Sequence, residues 1–305
     1  MKNITINLVL LLVGITLVSC VDTIDIPDPV EPNKIVVECE LSPPYHVRAF
    51  VATTGNLNGR SQPKFPHDAD IRLYSEVDEE FVFKYNEEES VYEVKNGRLR
   101  PGFSYLIQAN MGDEDNMIPI SARTTIPRGG KLASSFAQMN NDTDESIISV
   151  DLELPSNEHQ YYYLNLDVTS ATLEGGERVP TGDLITSSYD KLISDRNGIH
   201  NLEHMPGILI DRSRLLDDKF SIDMSIDPQE SKELIADKVK IDLKAVSDSY
   251  YHYQISVSNE VAALEKTSST VDASVIEPNI TYTNIKDGYG YFGAFTTTSD
   301  SITIQ

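Results

Sequence analysis

Tryptophan is absent from this 305-residue chain, cysteine occurs only twice, and Lys and Arg together number 25 against 48 Asp and Glu. Each shortage excludes something. Two cysteines cannot build a disulfide framework. A formal charge of -23 repels phosphates, which argues against nucleic-acid binding and against membrane attachment through a basic patch. The apolar run from Leu8 to Val18 is too short to span a bilayer core, which takes about 20 helical residues. No G-x-S-x-G elbow, P-loop or dinucleotide fingerprint occurs. What is present is 15 Tyr and 9 Phe, enough large apolar groups for real cores, on a chain long enough for about two domains of ~100–200 residues.

The start of the chain reads as an address. Lys2 precedes the apolar run, which ends in Leu17-Val18-Ser19-Cys20. An aliphatic residue three before Cys, a small residue directly before it and the Cys itself make a bacterial lipobox. Residues 1–19 are therefore expected to be a signal peptide, and Cys20 the lipidated N-terminus, carrying palmitate-type acyl chains that suffice for stable anchoring. An ordinary cleaved signal with an incidental Cys is the alternative. Val21 after the Cys favours the outer membrane, and the nearby Asp22, Asp25 and Asp28 loosely resemble surface-export signals of Bacteroidetes lipoproteins. Residues 20–33, with three Pro and little apolar periodicity, read as an extended tether.

From Lys34 the pattern becomes short β-like runs: 34–41, 46–53, 70–77, 80–84, 91–94, 103–110 and 117–126, punctuated by Pro43-Pro44, Asn96-Gly97 and Pro101-Gly102. This predicts a small Ig- or transthyretin-like β-sandwich over 34–127. The order of strand, acidic hairpin, Tyr strand and Leu99-x-Pro101-Gly102-x-x-Tyr105 turn within 70–110 resembles the transthyretin or carboxypeptidase-regulatory type. Gly129-Gly130 follow, and a second β domain is expected over 128–305, with strands at 146–154, 160–173, 219–226 and 238–246. Between Glu174 and Arg214 the periodicity fades into a long loop region. One amphipathic helix is expected near 247–266, capped by Ser247 or Ser249, with Tyr250, Tyr253, Val257, Val261 and Leu264 on the face toward the sheet. The fold class is thus mainly β: two consecutive sandwich-like domains, the second with one helix packed on its sheet.

Candidate chemistry is sparse. With Cys20 acylated, Cys39 has no disulfide partner and reads as a small buried hydrophobe on a strand. His200 and His204 have i,i+4 spacing, but Met205-Pro206-Gly207 would end any helix there, so no metal site is assigned. The acidic groups at Asp113-Glu114-Asp115 and Asn141 to Glu145 lack full EF-hand spacing and read as solvated turns. Paired carboxylates for glycan hydrolysis carry no sequence signature, because their spacing is spatial.

The C-terminal stretch from Glu277 to Phe295, with Glu277-Pro278, then Asn284-Ile285-x-x-Gly288-x-Gly290-x-Phe292-Gly293, resembles the closing signature of the Bacteroidetes lipoprotein family known as domain of unknown function 4249. The lipobox, the early strand and the Ser- and Tyr-rich helix agree with it. The resemblance implies an outer-membrane lipoprotein, often encoded beside SusC-like TonB-dependent receptors. Read without the family, the glycines suggest a strand that turns sharply at Asp287-Gly288 and runs close to another backbone, with Asn284 bonding a turn and 301–304 closing the sheet.

The resulting expectation is a non-enzymatic accessory or binding subunit without a cofactor, held in outer-membrane lipid by Cys20, exposed at the cell surface and working with a TonB-dependent receptor. A structural or adhesion protein of the cell envelope is the alternative, and a polysaccharide hydrolase a further one. No residue specifies the ligand.

Overall fold

The computed structural model describes residues 34–43, 47–55, 62–95, 97–111, 119–140, 145–154, 161–173, 178–179, 198–202, 204–226, 234–268 and 281–303. The expected signal peptide and tether, Asp113 to Asp115, Asn141 to Asp144 and the side chain of Leu264 lie outside the described residues.

The N-terminal strands are β1 (Ile35–Leu41), β2 (Val47–Thr53), β3 (Asp70–Ser75), β4 (Glu80–Val82), β5 (Lys84–Asn86), β6 (Val91–Val94), β7 (Ser104–Asn110) and β8 (Ile120–Thr125). They form at the runs where apolar and polar residues alternate. On β1, Ile35, Val37, Cys39 and Leu41 are buried while Glu38 is exposed, the period of two that puts successive side chains on opposite faces. Strands β1, β2, β6 and β5 lie side by side, and β4, β3, β7 and β8 make a second sheet. Val37, Leu41 and Ala49 from one sheet and Ile71, Leu73 and Ile107 from the other share one core.

The C-terminal strands are β9 (Lys131–Asn140), β10 (Glu145–Glu153), β11 (Tyr161–Leu173), β12 (Arg178–Val179), β13 (Ile199–Asn201), β14 (Ile208–Asp211), β15 (Lys219–Ile226), β16 (Leu234–Val246) and β17 (Tyr289–Thr303), with helix α1 (Asp248–Ser268) before the last strand. A three-stranded sheet, β15-β10-β9, faces β14-β11-β16 across a core that includes Ile148, Val150, Leu164, Ile222 and Leu243. The fold is mainly β, in two sandwich-like layers, with α1 laid on the large sheet.

That large sheet runs through both halves. Its order is β13-β14-β11-β16-β17-β1-β2-β6-β5, ten strands counting β12 beside β11. Strand β17 makes the junction by changing neighbour midway. Tyr289 to Ala294 pair in parallel with Val36 to Leu41, and Phe295 to Thr303 pair antiparallel with Val246 to Lys238. In consequence Phe292, Ala294 and Ile285 sit in the core of the N-terminal sandwich. Residues 34–127 do not complete that core by themselves.

The glycine signature explains how β17 approaches so closely. Asp287 turns the chain with φ 65°, and Gly290 has φ +91°. A Cβ on Gly288 would lie 2.6 Å from the Ile35 carbonyl oxygen, so that position too is closed to a side chain.

Candidate binding groove

The outward face of the large sheet alternates out of phase with its cores. On β1 it presents Glu38 and Glu40, on β2 Arg48 and Phe50, on β17 Tyr291, Gly293 and Phe295, and on β16 Lys244. The register sets Glu38 between Phe50 and Tyr291, and Glu40 between Arg48 and Gly293. An open groove of about 530 Å³ lies here, lined by Glu38, Glu40, Arg48, Phe50, Tyr291 and Phe295 among others. Gly293 matters because a side chain there would collide with the Tyr291 ring, 2.9 Å from the added carbon.

Helix α1 lies beside the groove and touches two of its lining residues, Tyr291 and Glu38, through Tyr253. Ser247 is its cap: the hydroxyl accepts from Tyr250 N–H at 3.3 Å and from Ala294 N–H of β17 at 3.0 Å, fastening the helix start to the sheet. Ser249 Oγ donates to the Phe292 carbonyl at 2.7 Å. From the helix, Tyr253 stacks on Tyr291 with centroids 3.8 Å apart, and Tyr251 stacks on Tyr161 at 4.1 Å. Tyr250, 2% exposed, meets Phe295 edge-on at 6.0 Å.

The titratable groups are tightly placed. Tyr291 donates its hydroxyl proton to Glu40, and Tyr253 donates to Glu38 at 3.3 Å. Burial lifts the Glu40 carboxyl above its ordinary range, against the Tyr291 hydrogen bond and the charge of Lys244, which pull it down. Lys244 is shifted downward by burial, against the attraction of Glu40 and Asp242. Its ammonium lies over the Phe295 ring at 4.6 Å and the Tyr163 ring at 5.3 Å. Tyr253 is pushed up to about 12 by burial and by Glu38. Arg48 pairs with Glu89 at 2.6 Å. Phe50 stays 37% exposed and meets the still more exposed Phe65 at 5.7 Å.

The expected site residues fall as follows. Cys20 lies outside the described residues. Cys39 is buried in the first core, and burial raises its thiol pKa, so it is held as an unreactive apolar group. His200 is on β13 and His204 in the turn beyond it, so their spacing does not fall on one helical face; His204 Nε2 pairs with Gln254 Oε1 at 2.8 Å. Asn284 grips Phe292 from both sides, accepting from its N–H and donating to its carbonyl, each at 2.9 Å. Of the expected helix face, Tyr250 is buried, but Val257 and Val261 are only half-buried. Past Gln254 the helix keeps Ile255 against the core around Tyr163 and Leu209 and meets Thr281 and Tyr282, which bond Glu260 and Ser256.

None of the groove residues carries a local motif. Glu38-x-Glu40 could have drawn notice as two acids on one strand face; Tyr291 and Phe295 were visible only as part of the glycine signature.

Residues 21–301 match the profile of the family described as Domain of unknown function (DUF4249), and the chain belongs to that family. No curated protein sequence matches it. Among solved structures, the chain is similar to a DUF4785 family protein from Legionella pneumophila, at 12% identity and a TM-score of 0.23, over 68% of this chain. It spans about half of that protein, 51% of its length.

Proposed function

We propose that the chain is a non-enzymatic binding or accessory subunit, anchored in the outer membrane through acylated Cys20, exposed at the cell surface and working beside a TonB-dependent receptor. The observation that carries the binding role is the groove on the outward sheet face. It is open, and it is lined by the exposed Phe50 ring, which meets the exposed Phe65, and by Glu38, which a tyrosine of the neighbouring helix bonds. Exposed aromatic rings beside fixed polar groups suit recognition of a partner or cargo. The lipobox supports the anchor, and membership of the DUF4249 family is compatible with it. Affinity purification of the tagged full-length chain in mild detergent after crosslinking should recover a TonB-dependent receptor. Recovery of the chain as a free monomer would overturn the receptor role.

One observation favours hydrolysis of a glycan as a second reading. Glu38 and Glu40 face the same groove two strand residues apart, roughly 6.6 Å at ~3.3 Å per residue, within the range that a glycosidase acid and base require. Burial also raises Glu40, the direction a general acid needs. Release of reducing ends from glycans by the wild-type chain, lost in Glu40→Gln, would establish it; no release would remove it.

A further inference from the structure

Three rings, Phe50, Tyr291 and Phe295, and two carboxylates, Glu38 and Glu40, line the groove. Its lining cation, Arg48, is already committed to Glu89 at 2.6 Å. Among the described residues no basic group makes an ion pair with Glu38 or Glu40; Lys244 acts on Glu40 from beyond that distance, behind Phe295. Glu38 is exposed and is touched by the Tyr253 hydroxyl. Lys244 over Phe295 and Tyr163 shows that this sheet face already holds an ammonium against aromatic rings.

A neutral ligand filling this space would strip water from two carboxylates without supplying a counter-charge, and an anion would be repelled. A cation with an apolar stem meets both halves of the lining. We propose that the groove binds a small organic cation, an amine or guanidinium on a short apolar stem, with the stem against Phe50 and the charged head between Glu38 and Glu40. This gives the ligand class for the groove that carries the proposed binding function, and it rests on that reading.

Calorimetric titration of the full-length chain in detergent with phenethylamine and with agmatine tests it, with phenethyl alcohol as the uncharged control. Saturable binding of both amines and none of the alcohol is expected. Glu38→Gln, at an exposed position, should weaken amine binding about tenfold or more through loss of a charge-assisted contact. Phe50→Ala should weaken it several-fold, with the melting temperature of both variants unchanged. Equal binding of the alcohol overturns the proposal, as do affinities unaltered in both variants. Binding of a polylysine peptide with no binding of either small amine also overturns it, because the acidic face would then be a contact for a basic protein segment. The two readings fail separately: amine binding without receptor recovery removes the receptor role, and receptor recovery without amine binding removes the ligand assignment.

Discussion

Gly290 lies opposite Val37 in the parallel pairing of β17 with β1, and a Cβ placed on Gly290 would come 2.2 Å from the Val37 carbonyl oxygen. The backbone there is also left-handed, at φ +91°. Gly290→Ala should therefore lose roughly 2–5 kcal/mol, adding the left-handed penalty to overpacking against a backbone that cannot turn aside. Urea denaturation of the two proteins checks this. A midpoint equal to wild type would mean that β17 does not press on β1.

The helix should be sensitive at its start and tolerant further along. Tyr250 is buried between the sheet and Phe295, so Tyr250→Ala should cost about 3–5 kcal/mol. Val261 is only half-buried, and Val261→Asp should cost less than about 1 kcal/mol. Thermal melts of the pair separate the two positions, and a reversed order would mean that the helix packs along its C-terminal half.

Glu40 should leave a signature in the pH dependence of stability. Its folded-state pKa is raised above the ordinary 4.5, so the folded chain holds this proton more firmly than the unfolded chain. The stabilising contribution is then fully present below the unfolded value and is lost as pH rises through the raised folded value. Relative to wild type, Glu40→Gln should therefore gain stability as pH rises from the ordinary 4.5 through the raised folded value, while its side-chain oxygen can still accept from Tyr291. Denaturant midpoints measured across that range check it; parallel curves would mean that Glu40 is solvated.

Anchoring is tested at Cys20. Cys20→Ala should abolish labelling by radioactive palmitate and leave an unprocessed precursor. Mature-sized protein that still fractionates with the outer membrane would refute the lipobox reading. Protease added to intact cells should degrade the wild-type body of the protein if it is displayed outside.

Most strands of the N-terminal sandwich were legible because period-two alternation and Pro or Gly turns coincide there: the run expected at 70–77 is β3, and that at 103–110 is β7. Strand β9 was not, because Lys131–Asn140 is rich in Ala and Ser and has no β-branched residue, so it pairs by position beside β10 rather than by propensity. Strands β13 and β14 lie inside the span read as loop. The four buried residues Ile208–Asp211 were too short a run to stand out from it. The close approach of the glycine signature to a neighbouring backbone was readable, but its partner was not. Glu40 and Tyr291 are separated by 251 positions, and no local pattern says which strand a glycine-rich segment will lie against.

The pairing of the first described strand with the last has a consequence for how the molecule is made. The core around Val37 and Leu41 waits for Phe292 and Ala294, so a ribosome must deliver nearly the whole polypeptide before the N-terminal sandwich can close. Contacts of such long sequence separation form slowly, because the loop-closure entropy is lost before those non-local contacts can offset it. A newly made chain thus stays open for a period set by its own topology.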